Sequence, residues 1–255
     1  MSRIAFASIA LCLALLLSVP RAAHAAAALA SSSQLADLSL EQLANIVVTS
    51  VSRREERLAQ APASIFVITA EDIRRSRATS IPEALRLAPN LDIARADINQ
   101  YAISARGFNN VLANKMLVLI DGRTVYTPLF SGVFWEAQDV MLEDVDRIEV
   151  ISGPGATLWG ANAVNGVINI ITRPARETQG LLATGLAGDR QSGAAVRYGG
   201  PAIAGGNFRV YAKYDDRDAS RFANGASVYD ASIHGQAGFR ADWESPGRVM
   251  TLQGD

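Results

Sequence analysis

Residues 145–172 restrict the fold of this chain more than any other segment, because two short β-rich runs flank a joint that is dense in glycine. Ile148 and Val150 lie in the first run, and residues 167–171 form the second. β-Branched residues of this kind favour buried strands. Glycine allows the backbone to turn or to approach a neighbour closely, and the joint holds Gly153, Gly155, Gly160 and Gly166. The segment predicts a strand, a compact turn and a second strand.

A strand followed by glycines also occurs in nucleotide-binding loops, so that alternative needs a test. A Walker loop ends in Gly-Lys-Ser/Thr, whereas Gly160 is followed by Ala161 and Asn162. A dinucleotide fingerprint needs a third glycine at the position that Leu158 occupies. The pattern therefore favours a structural turn over a nucleotide site.

The N-terminus has the features of a secretory signal peptide, predicted at residues 1–25. Arg3 precedes an apolar run over residues 4–19, and the small residues Ala23 and Ala25 suit cleavage after Ala25. An uncleaved membrane anchor is the alternative, but the run is short for a spanning helix. Cleavage would remove Cys12, the one cysteine, so no disulfide or thiol chemistry is expected.

Charge and histidine content exclude several classes of function. The formal net charge is -1, from 24 Lys and Arg against 25 Asp and Glu, which gives no basic footprint for nucleic acid. His24 would be lost with the signal peptide, leaving His234, too few for a histidine metal cluster. We expect no catalytic residue, no metal site and no cofactor. The acidic run of Asp139, Glu143, Asp144 and Asp146 is interpreted as a solvated face.

Residues 51–174 alternate short strands and helices, which is typical of a small α+β unit. A strand is predicted at 64–68, and Thr69 with Asp72 forms a capping box for a short helix. Ser80 and Glu83 repeat this pattern for a helix to about Leu87. Further strands are predicted at 93–95 and 103–106, around a polar turn, and at 118–120, before Asp121-Gly122.

Beyond Pro174 the sequence changes to long alternating runs. Residues 208–214 and 233–243 each place apolar and polar side chains on opposite faces. In a soluble sandwich the apolar face would cover a core, whereas in an outer-membrane barrel it would face lipid. The long polar loop at 215–230, among shorter joins, favours the barrel. Residues 175–255 hold about five strands, and a plugged transporter barrel has about 22, so this segment is interpreted as the start of an incomplete barrel.

Several separated motifs resemble the plug domain of TonB-dependent outer-membrane receptors. They are residues 45–50 (NIVVTS), 104–108 (SARGF), 118–123 (VLIDGR), 147–150 (RIEV) and 153–172 with its Gly-Pro turn. Their order and spacing match a whole plug domain over residues 45–174. The resemblance implies an α+β plug domain, a mixed sheet with short helices, followed by the first antiparallel strands of a transmembrane β-barrel.

The resemblance also implies a function, namely active uptake of a scarce nutrient, most often an iron-siderophore complex, across the cell outer membrane. The implied partners are a TonB-type energy-coupling protein, outer-membrane lipid and a small-molecule ligand such as a ferric siderophore, and no nucleic acid. The plug would lie inside the barrel with the N-terminus in the periplasm. A ligand-binding or signalling module without transport is the alternative, and a secreted hydrolase is a third reading.

Residues 26–50 are predicted to be a flexible N-terminus that carries the energy-coupling box. The resemblance assigns that box to Ile46, Val47, Val48 and Thr49. A β-branched run of this kind could add a strand to the sheet edge of a partner. It could equally be the first strand of the domain itself.

A charge network is expected in the plug from Arg106, Arg147 and Glu149, with Arg106 and Glu149 buried against each other or against the barrel wall. Solvated residues at the rim are the alternative. Family members commonly have arginine before the Gly-Pro turn, where this chain has Ser152. The resemblance gives that arginine a role in pairing plug with barrel, so this pairing is in doubt here.

Two loops are the candidates for contact with substrate, because loops on a rigid scaffold often carry recognition. The first contributes Asn99, Gln100 and Tyr101, and the second contributes Tyr126, Phe130 and Trp135. Aromatic side chains in a loop also pack locally, which is the alternative interpretation.

Overall fold

The computed structural model describes residues 47–48, 56–57, 64–153, 159–160 and 162–255. These residues belong to one compact unit, residues 44–255. The predicted signal peptide, residues 1–25, lies outside the described residues, as does the segment 26–46. Within the range 64–153, the structure has the helices α1 (Ala70–Ser76) and α2 (Ile81–Leu85). Single 3-10 turns lie at Leu142–Asp144, Ala175–Glu177 and Ile203–Gly205.

The described residues contain fourteen strands. In chain order they are β1 (Val47–Val48), β2 (Glu56–Arg57), β3 (Ser64–Thr69), β4 (Asp92–Arg95), β5 (Tyr101–Ser104), β6 (Met116–Ile120), β7 (Arg123–Thr124), β8 (Val145–Ser152), β9 (Gly166–Thr172), β10 (Gly180–Ala187), β11 (Gln191–Pro201), β12 (Asn207–Arg217), β13 (Ser232–Ser245) and β14 (Arg248–Gly254).

Five of these strands form a mixed sheet in the order β3-β8-β9-β6-β7. The pairs β3–β8, β8–β9 and β6–β7 are antiparallel, and β6–β9 is parallel. The two β-rich runs around the glycine joint are β8 and β9, which are direct neighbours. Ile148, Val150, Ile168 and Ile170 are at most 1% exposed and pack with the helices. Truncating one of them to alanine should cost about 2–5 kcal/mol.

The first helix begins as its sequence predicts, and the second does not. The Thr69 hydroxyl accepts from Asp72 N at 3.2 Å, and Asp72 Oδ2 accepts from Thr69 N at 2.9 Å. The capping box predicted for α1 is therefore confirmed. Ser80 makes no such bond, because the carboxylate of Glu83 bonds Arg86 and Tyr101 instead. The capping box predicted at Ser80 is wrong, and α2 ends at Leu85 rather than near Leu87.

The polar turn predicted between two strands joins β4 to β5 in a separate antiparallel hairpin. Asp97 Oδ1 accepts from the backbone N–H groups of Asn99 and Gln100, both at 2.8 Å. An aspartate that caps its own following residues holds a tight turn without help from the strands. The second strand ends at Ser104, two residues earlier than predicted.

Strands β10 to β14 form an antiparallel sheet in chain order. Val210, Tyr214, Ile233 and Phe239 on its apolar face are between 42% and 71% exposed. The polar face lies against the mixed-sheet domain, which is why the charged residues there are covered. An α+β domain followed by antiparallel strands agrees with the predicted fold class. The described residues contain no helix long and apolar enough to cross a membrane.

The antiparallel sheet has two ends. At one end are the entry at Ala175–Glu177 and the joins β11–β12 and β13–β14. At the other are the β10–β11 turn and the long β12–β13 loop, which we call the far end. Residues of the site are placed below by the end of the sheet to which they lie closer.

Candidate functional site

The mixed-sheet domain meets the polar face of the antiparallel sheet along a line of ion pairs, which we call the seam. Its centre is Asp144, at the end of the 3-10 turn before β8, whose side chain is 3% exposed. Asp144 Oδ1 accepts from Arg197 of β11, and Asp144 Oδ2 lies 3.3 Å from Arg209 Nε of β12. One buried carboxylate thus holds two arginines from neighbouring strands.

A second cluster in the seam is built around Thr172, at the end of β9. Its hydroxyl donates to Asp121 Oδ2 at 2.8 Å and accepts from Arg209 at 2.8 Å and Arg240 at 3.0 Å. Arg240 also lies 3.3 Å from Asp121 Oδ2. Asp121 occupies the turn after β6 at φ 48. The Asp-Gly turn read from the sequence therefore also supplies an anchor for the sheet.

Three further contacts extend the seam along the sheet. Lys213 Nζ of β12 lies 2.5 Å from Asp139 Oδ2, and Gln236 Nε2 donates to the Asp139 carbonyl at 3.0 Å. Asp242 Oδ2 accepts from the backbone N–H of Ala175 at 2.6 Å. In the ion pairs across the seam, Asp121, Asp139 and Asp144 of the mixed-sheet domain face arginine and lysine of the antiparallel sheet. Complementary charge of this kind fixes orientation more than it adds net affinity.

The acidic run at 139–146 was expected to be a solvated face, and for Asp144 and Asp139 this is wrong. Asp144 is buried, and the side chain of Asp139 is 16% exposed. The signal that identifies them lies elsewhere in the sequence, in the cations that alternate along β11 to β13. A face that carries Arg197, Arg209, Lys213 and Arg240 needs carboxylates opposite it once it is covered.

The far end of the sheet is tied to the β4–β5 turn. Asp230 Oδ2 accepts from Ile98 N at 3.1 Å, and Asp230 Oδ1 accepts from Ser220 N at 2.6 Å. Desolvation alone would raise the pKa of Asp230, but these hydrogen bonds outweigh it and lower the pKa below its usual range. Ser232 Oγ donates to Asn99 Oδ1 at 3.0 Å. The turn is therefore fixed to the long loop of the sheet.

The predicted charge network divides into a buried part and an exposed part. Glu149 is fully buried, and its Oε1 lies 2.8 Å from Arg147 Nε. Arg106 is exposed, at φ 59, with its guanidinium beside Gly153. Arg106 is therefore not buried against Glu149, which pairs with Arg147 instead, and its burial against the rest of a barrel wall stays a prediction.

Ser152 lies at the end of β8 and bonds within the domain. Asn90 Nδ2 donates to Ser152 Oγ at 2.6 Å. Where the resemblance would put an arginine that pairs plug with barrel, this chain has an internal hydrogen bond. Asp121, Asp139 and Asp144 provide the pairing with the sheet instead.

The predicted energy-coupling box is described only at Val47 and Val48. They form β1 and pair antiparallel with β2, with Val47 opposite Arg57 and Val48 opposite Glu56. Val48 is fully buried. Ile46 and Thr49 lie outside the described residues. In this structure the two valines are a local strand.

Two of the six candidates for substrate contact are core residues. Tyr101 is 4% exposed and Trp135 is 8% exposed, and both belong to the hydrophobic core of the domain. The expectation that they face a ligand is wrong, because the strand that Tyr101 begins is buried at every position. Gln100 is exposed, while Asn99, Tyr126 and Phe130 are half-buried. Phe130 packs edge-on against Phe134 at 4.5 Å.

Tyr101 instead forms a hydrogen-bonded pair with the carboxylate of Glu83. Its hydroxyl donates to Glu83 Oε1 at 2.8 Å. Burial raises the pKa of Tyr101, and the bond to Glu83 raises it further. Burial would also raise the pKa of Glu83, but the hydrogen bond from Tyr101 and the contact with Arg86 lower it. No cluster of three or more metal-binding side chains occurs among the residues that the structure describes.

An α+β domain that is ion-paired to the polar face of an antiparallel sheet, whose other face is apolar and exposed, defines a class of plugged outer-membrane protein. Residues 57–167 match the family model for the TonB-dependent Receptor Plug Domain. The chain belongs to the TonB-dependent receptors. These proteins are transporters and not enzymes.

Two relatives show the extent of the similarity. The vitamin B12 transporter BtuB of Vibrio vulnificus is 30% identical over 186 residues, which cover 69% of this chain and 30% of that protein. The ferric enterobactin receptor PirA of Pseudomonas aeruginosa is 31% identical over 204 residues, covering 71% of this chain and 26% of that protein. The chain therefore spans less than a third of the length of these two relatives.

Solved structures share the fold. The pyoverdine outer membrane receptor FpvA of Pseudomonas aeruginosa aligns with a TM-score of 0.64 at 20% identity, over 81% of this chain and 29% of FpvA. The siderophore receptor PirA of Pseudomonas aeruginosa aligns with a TM-score of 0.52 at 27% identity, over 76% of this chain and 35% of PirA. Both structures combine the mixed-sheet domain with the strands that follow it.

Proposed function

We propose that this chain is part of a TonB-dependent transporter that takes up a scarce nutrient through the outer membrane of a Gram-negative cell. The mixed-sheet domain acts as the plug that closes the channel. The N-terminus lies in the periplasm, where a TonB-type protein binds it. The apolar face of the antiparallel sheet faces lipid.

The observation that carries this proposal is the chemistry of the seam. The plug is held by carboxylates paired with arginine and lysine, and among the described residues the buried side chains of its main hydrophobic core come from residues 68–170. A plug bound in this way can separate from the antiparallel sheet without exposing its hydrophobic core. Its charged groups regain water, which compensates in part for the lost pairs. An obligate apolar interface would resist such movement.

The coupling step is assigned to Ile46, Val47, Val48 and Thr49. Because Val47 and Val48 are already paired with Glu56 and Arg57, a partner strand has to displace β2 or add to the edge of β1 that no other described strand occupies. Strand addition of this kind uses backbone hydrogen bonds. A pull on this segment is transmitted to the plug sheet through residues 58–63 and β3.

The substrate that we favour is an iron-siderophore complex. Among the relatives, one name specifies vitamin B12 and another specifies ferric enterobactin, so a cobalamin is the principal competitor. Asn99, Gln100, Tyr126 and Phe130 remain the candidates for contact. Asn99 lies at the far end of the sheet, which faces outward when the N-terminus is periplasmic.

A binding or signalling module without transport is the second candidate. A reversible disulfide between the plug and the antiparallel sheet, which we call the clamp, distinguishes such a module from a transporter. Asn99 and Ser232 are joined by a 3.0 Å hydrogen bond between short side chains, so the pair Asn99→Cys and Ser232→Cys should form a disulfide. Residues 26–255 contain no other cysteine.

The clamp is tested in cells that express the full-length receptor, with labelled ferric siderophores and labelled cyanocobalamin. We expect oxidation to stop uptake, reduction to restore it, and surface binding to persist in both states. The single variant Asn99→Cys controls for a loss of ligand contact. Uptake that is absent with or without the clamp, with binding intact, would favour the signalling module.

A further inference from the structure

A groove at the far end of the antiparallel sheet has a high density of arginine. It runs between the mixed-sheet domain and strands β11 and β12, and its volume is about 810 Å³. Its lining includes Arg77, Arg86, Arg95, Arg190 and Arg217, against the two carboxylates of Glu83 and Asp97. Sites for small molecules typically have volumes of about 300–1,000 Å³.

Most of this positive charge is not neutralised. The side chains of Arg77 and Arg190 form no hydrogen bond or ion pair with the described residues, and both are exposed. Arg95 bonds only carbonyl oxygens, those of Asp97 and Ile98, at 3.0 Å each, and lies over the Tyr101 ring. None of these three guanidinium groups forms an ion pair with a carboxylate in the described part of the chain.

Two of the arginines converge on one acceptor. Arg95 Nη2 and Arg217 Nη1 donate to the carbonyl of Ile98, at 3.0 and 3.4 Å. Arg217 also pairs with Asp215 at 2.6 Å, and its side chain is 15% exposed. Like charges that share a neutral acceptor in a partly buried site repel each other. An anion that binds between them removes this repulsion.

We propose that this groove binds a small polyanion, a ligand with two or more carboxylate or phosphate groups. This inference rests on the proposed function, because that function places the far end of the antiparallel sheet, and with it the groove, on the outer side of the membrane. Guanidinium groups suit such ligands, since each can donate two parallel hydrogen bonds to a carboxylate or phosphate. A lipid headgroup is a poor occupant. Gln191 and Arg217 are opposite each other on the polar face of the sheet, which faces away from lipid.

The proposal also bears on the nutrient. A negatively charged chelate would be attracted and held at the groove, whereas a neutral one would gain nothing from its arginines. The groove thus favours anionic cargo for this receptor.

The test measures binding of two probes, citrate and tripolyphosphate, to the full-length receptor in detergent by isothermal titration at low ionic strength. The double variant Arg77→Gln, Arg190→Gln removes two exposed cations whose side chains make no hydrogen bond or ion pair with the described residues, so we expect the fold to be retained. We expect affinity for at least one probe to fall about tenfold, with a weaker dependence on salt.

The matched control is Arg75→Gln. Arg75 is an exposed arginine of α1 that pairs with Glu71 and does not line the groove. Binding of citrate alone identifies a carboxylate ligand, and binding of tripolyphosphate alone identifies a phosphate ligand. Failure of both probes to bind the parent protein, or equal losses in the double variant and in Arg75→Gln, would overturn the proposal. Nutrient uptake measured separately shows whether transport itself persists, so the two proposals fail independently.

Discussion

At the scale of single residues, the seam depends on a few carboxylates that each serve several partners. Asp144 faces Arg197 and Arg209, and Asp121 holds both Thr172 and Arg240. Buried ion pairs add little net stability, but removal of one partner leaves the other charge uncompensated. Single carboxylates are therefore the points at which the seam is most sensitive to mutation.

Asp144→Asn should destabilise the docked plug by about 3–5 kcal/mol, because buried Arg209 and half-buried Arg197 both lose the carboxylate that they share. Urea unfolding of the plug within the full-length receptor, followed by hydrogen exchange, measures the loss. Asp146→Asn is the matched control, since Asp146 is two residues away, 42% exposed and paired only with Arg147. Equal effects of the two substitutions would mean that Asp144 does not anchor the seam.

The Tyr101–Glu83 pair leads to a prediction about pH. Because the pKa of Glu83 is lowered in the folded state, its stabilising contribution is full above about pH 4.3, the unfolded value, and is lost as pH falls through the folded pKa. Tyr101→Phe removes one cause of that lowering. The substitution should lower the free energy of unfolding by about 1.5 kcal/mol at pH 7, and this loss should become smaller below pH 4.

Urea unfolding of the parent protein and of Tyr101→Phe, followed by tryptophan fluorescence at pH 7 and at pH 3, tests this expectation. Tyr126→Phe provides the control, because no hydrogen bond of its hydroxyl occurs among the described residues. A loss from Tyr101→Phe that does not change with pH would show that the cost comes from packing in the core and not from the Glu83 carboxylate.

At the scale of elements, the short strand β1 has two uses, which exclude each other only if the partner strand takes the place of β2. Paired with β2 it completes a local hairpin, and paired with a partner it couples energy to the plug. Val47→Pro removes a backbone donor from both arrangements. Arg57→Pro, directly opposite Val47, disturbs only the local hairpin.

We expect Val47→Pro to abolish uptake while ligand binding is retained, and Arg57→Pro to leave uptake largely intact. Both are measured on the full-length receptor in cells, with labelled nutrient. If the two prolines impair uptake equally, the hairpin itself is needed. If neither does, β1 has no role in coupling.

Local patterns predicted the elements better than they predicted the site. The Thr69 capping box, the Asp121-Gly122 turn and the alternation in β12 and β13 depend on neighbours in sequence, so they are visible in the chain. The seam joins Asp144 to Arg209, far apart in sequence, and only the docking of two sheets brings them together. Tyr101 was misassigned for the same reason, since its burial depends on α2 and the mixed sheet.

At the scale of the whole molecule, the two sheets differ in what stabilises them. Among the described residues, the buried side chains of the main core of the mixed-sheet domain come from residues 68–170, so this domain carries its own hydrophobic stabilisation. The antiparallel sheet exposes its apolar face, and β10 and β14 each have one neighbour among the described strands. Unpaired edges are not tolerated in lipid, because every backbone group there needs a partner.

The two parts should therefore behave differently when they are separated. Residues 50–174 expressed alone should be soluble and resist proteolysis, because their core is complete and the seam carboxylates simply regain water. Residues 175–255 alone should aggregate through their open edges and apolar face. The 255-residue chain reconstituted in lipid vesicles should give no substrate flux, since five strands do not close a channel. Solubility, limited proteolysis and vesicle flux measure the three outcomes. Specific flux through this chain alone, or an unfolded 50–174 segment, would contradict the division of the molecule into a self-supporting plug and a dependent wall.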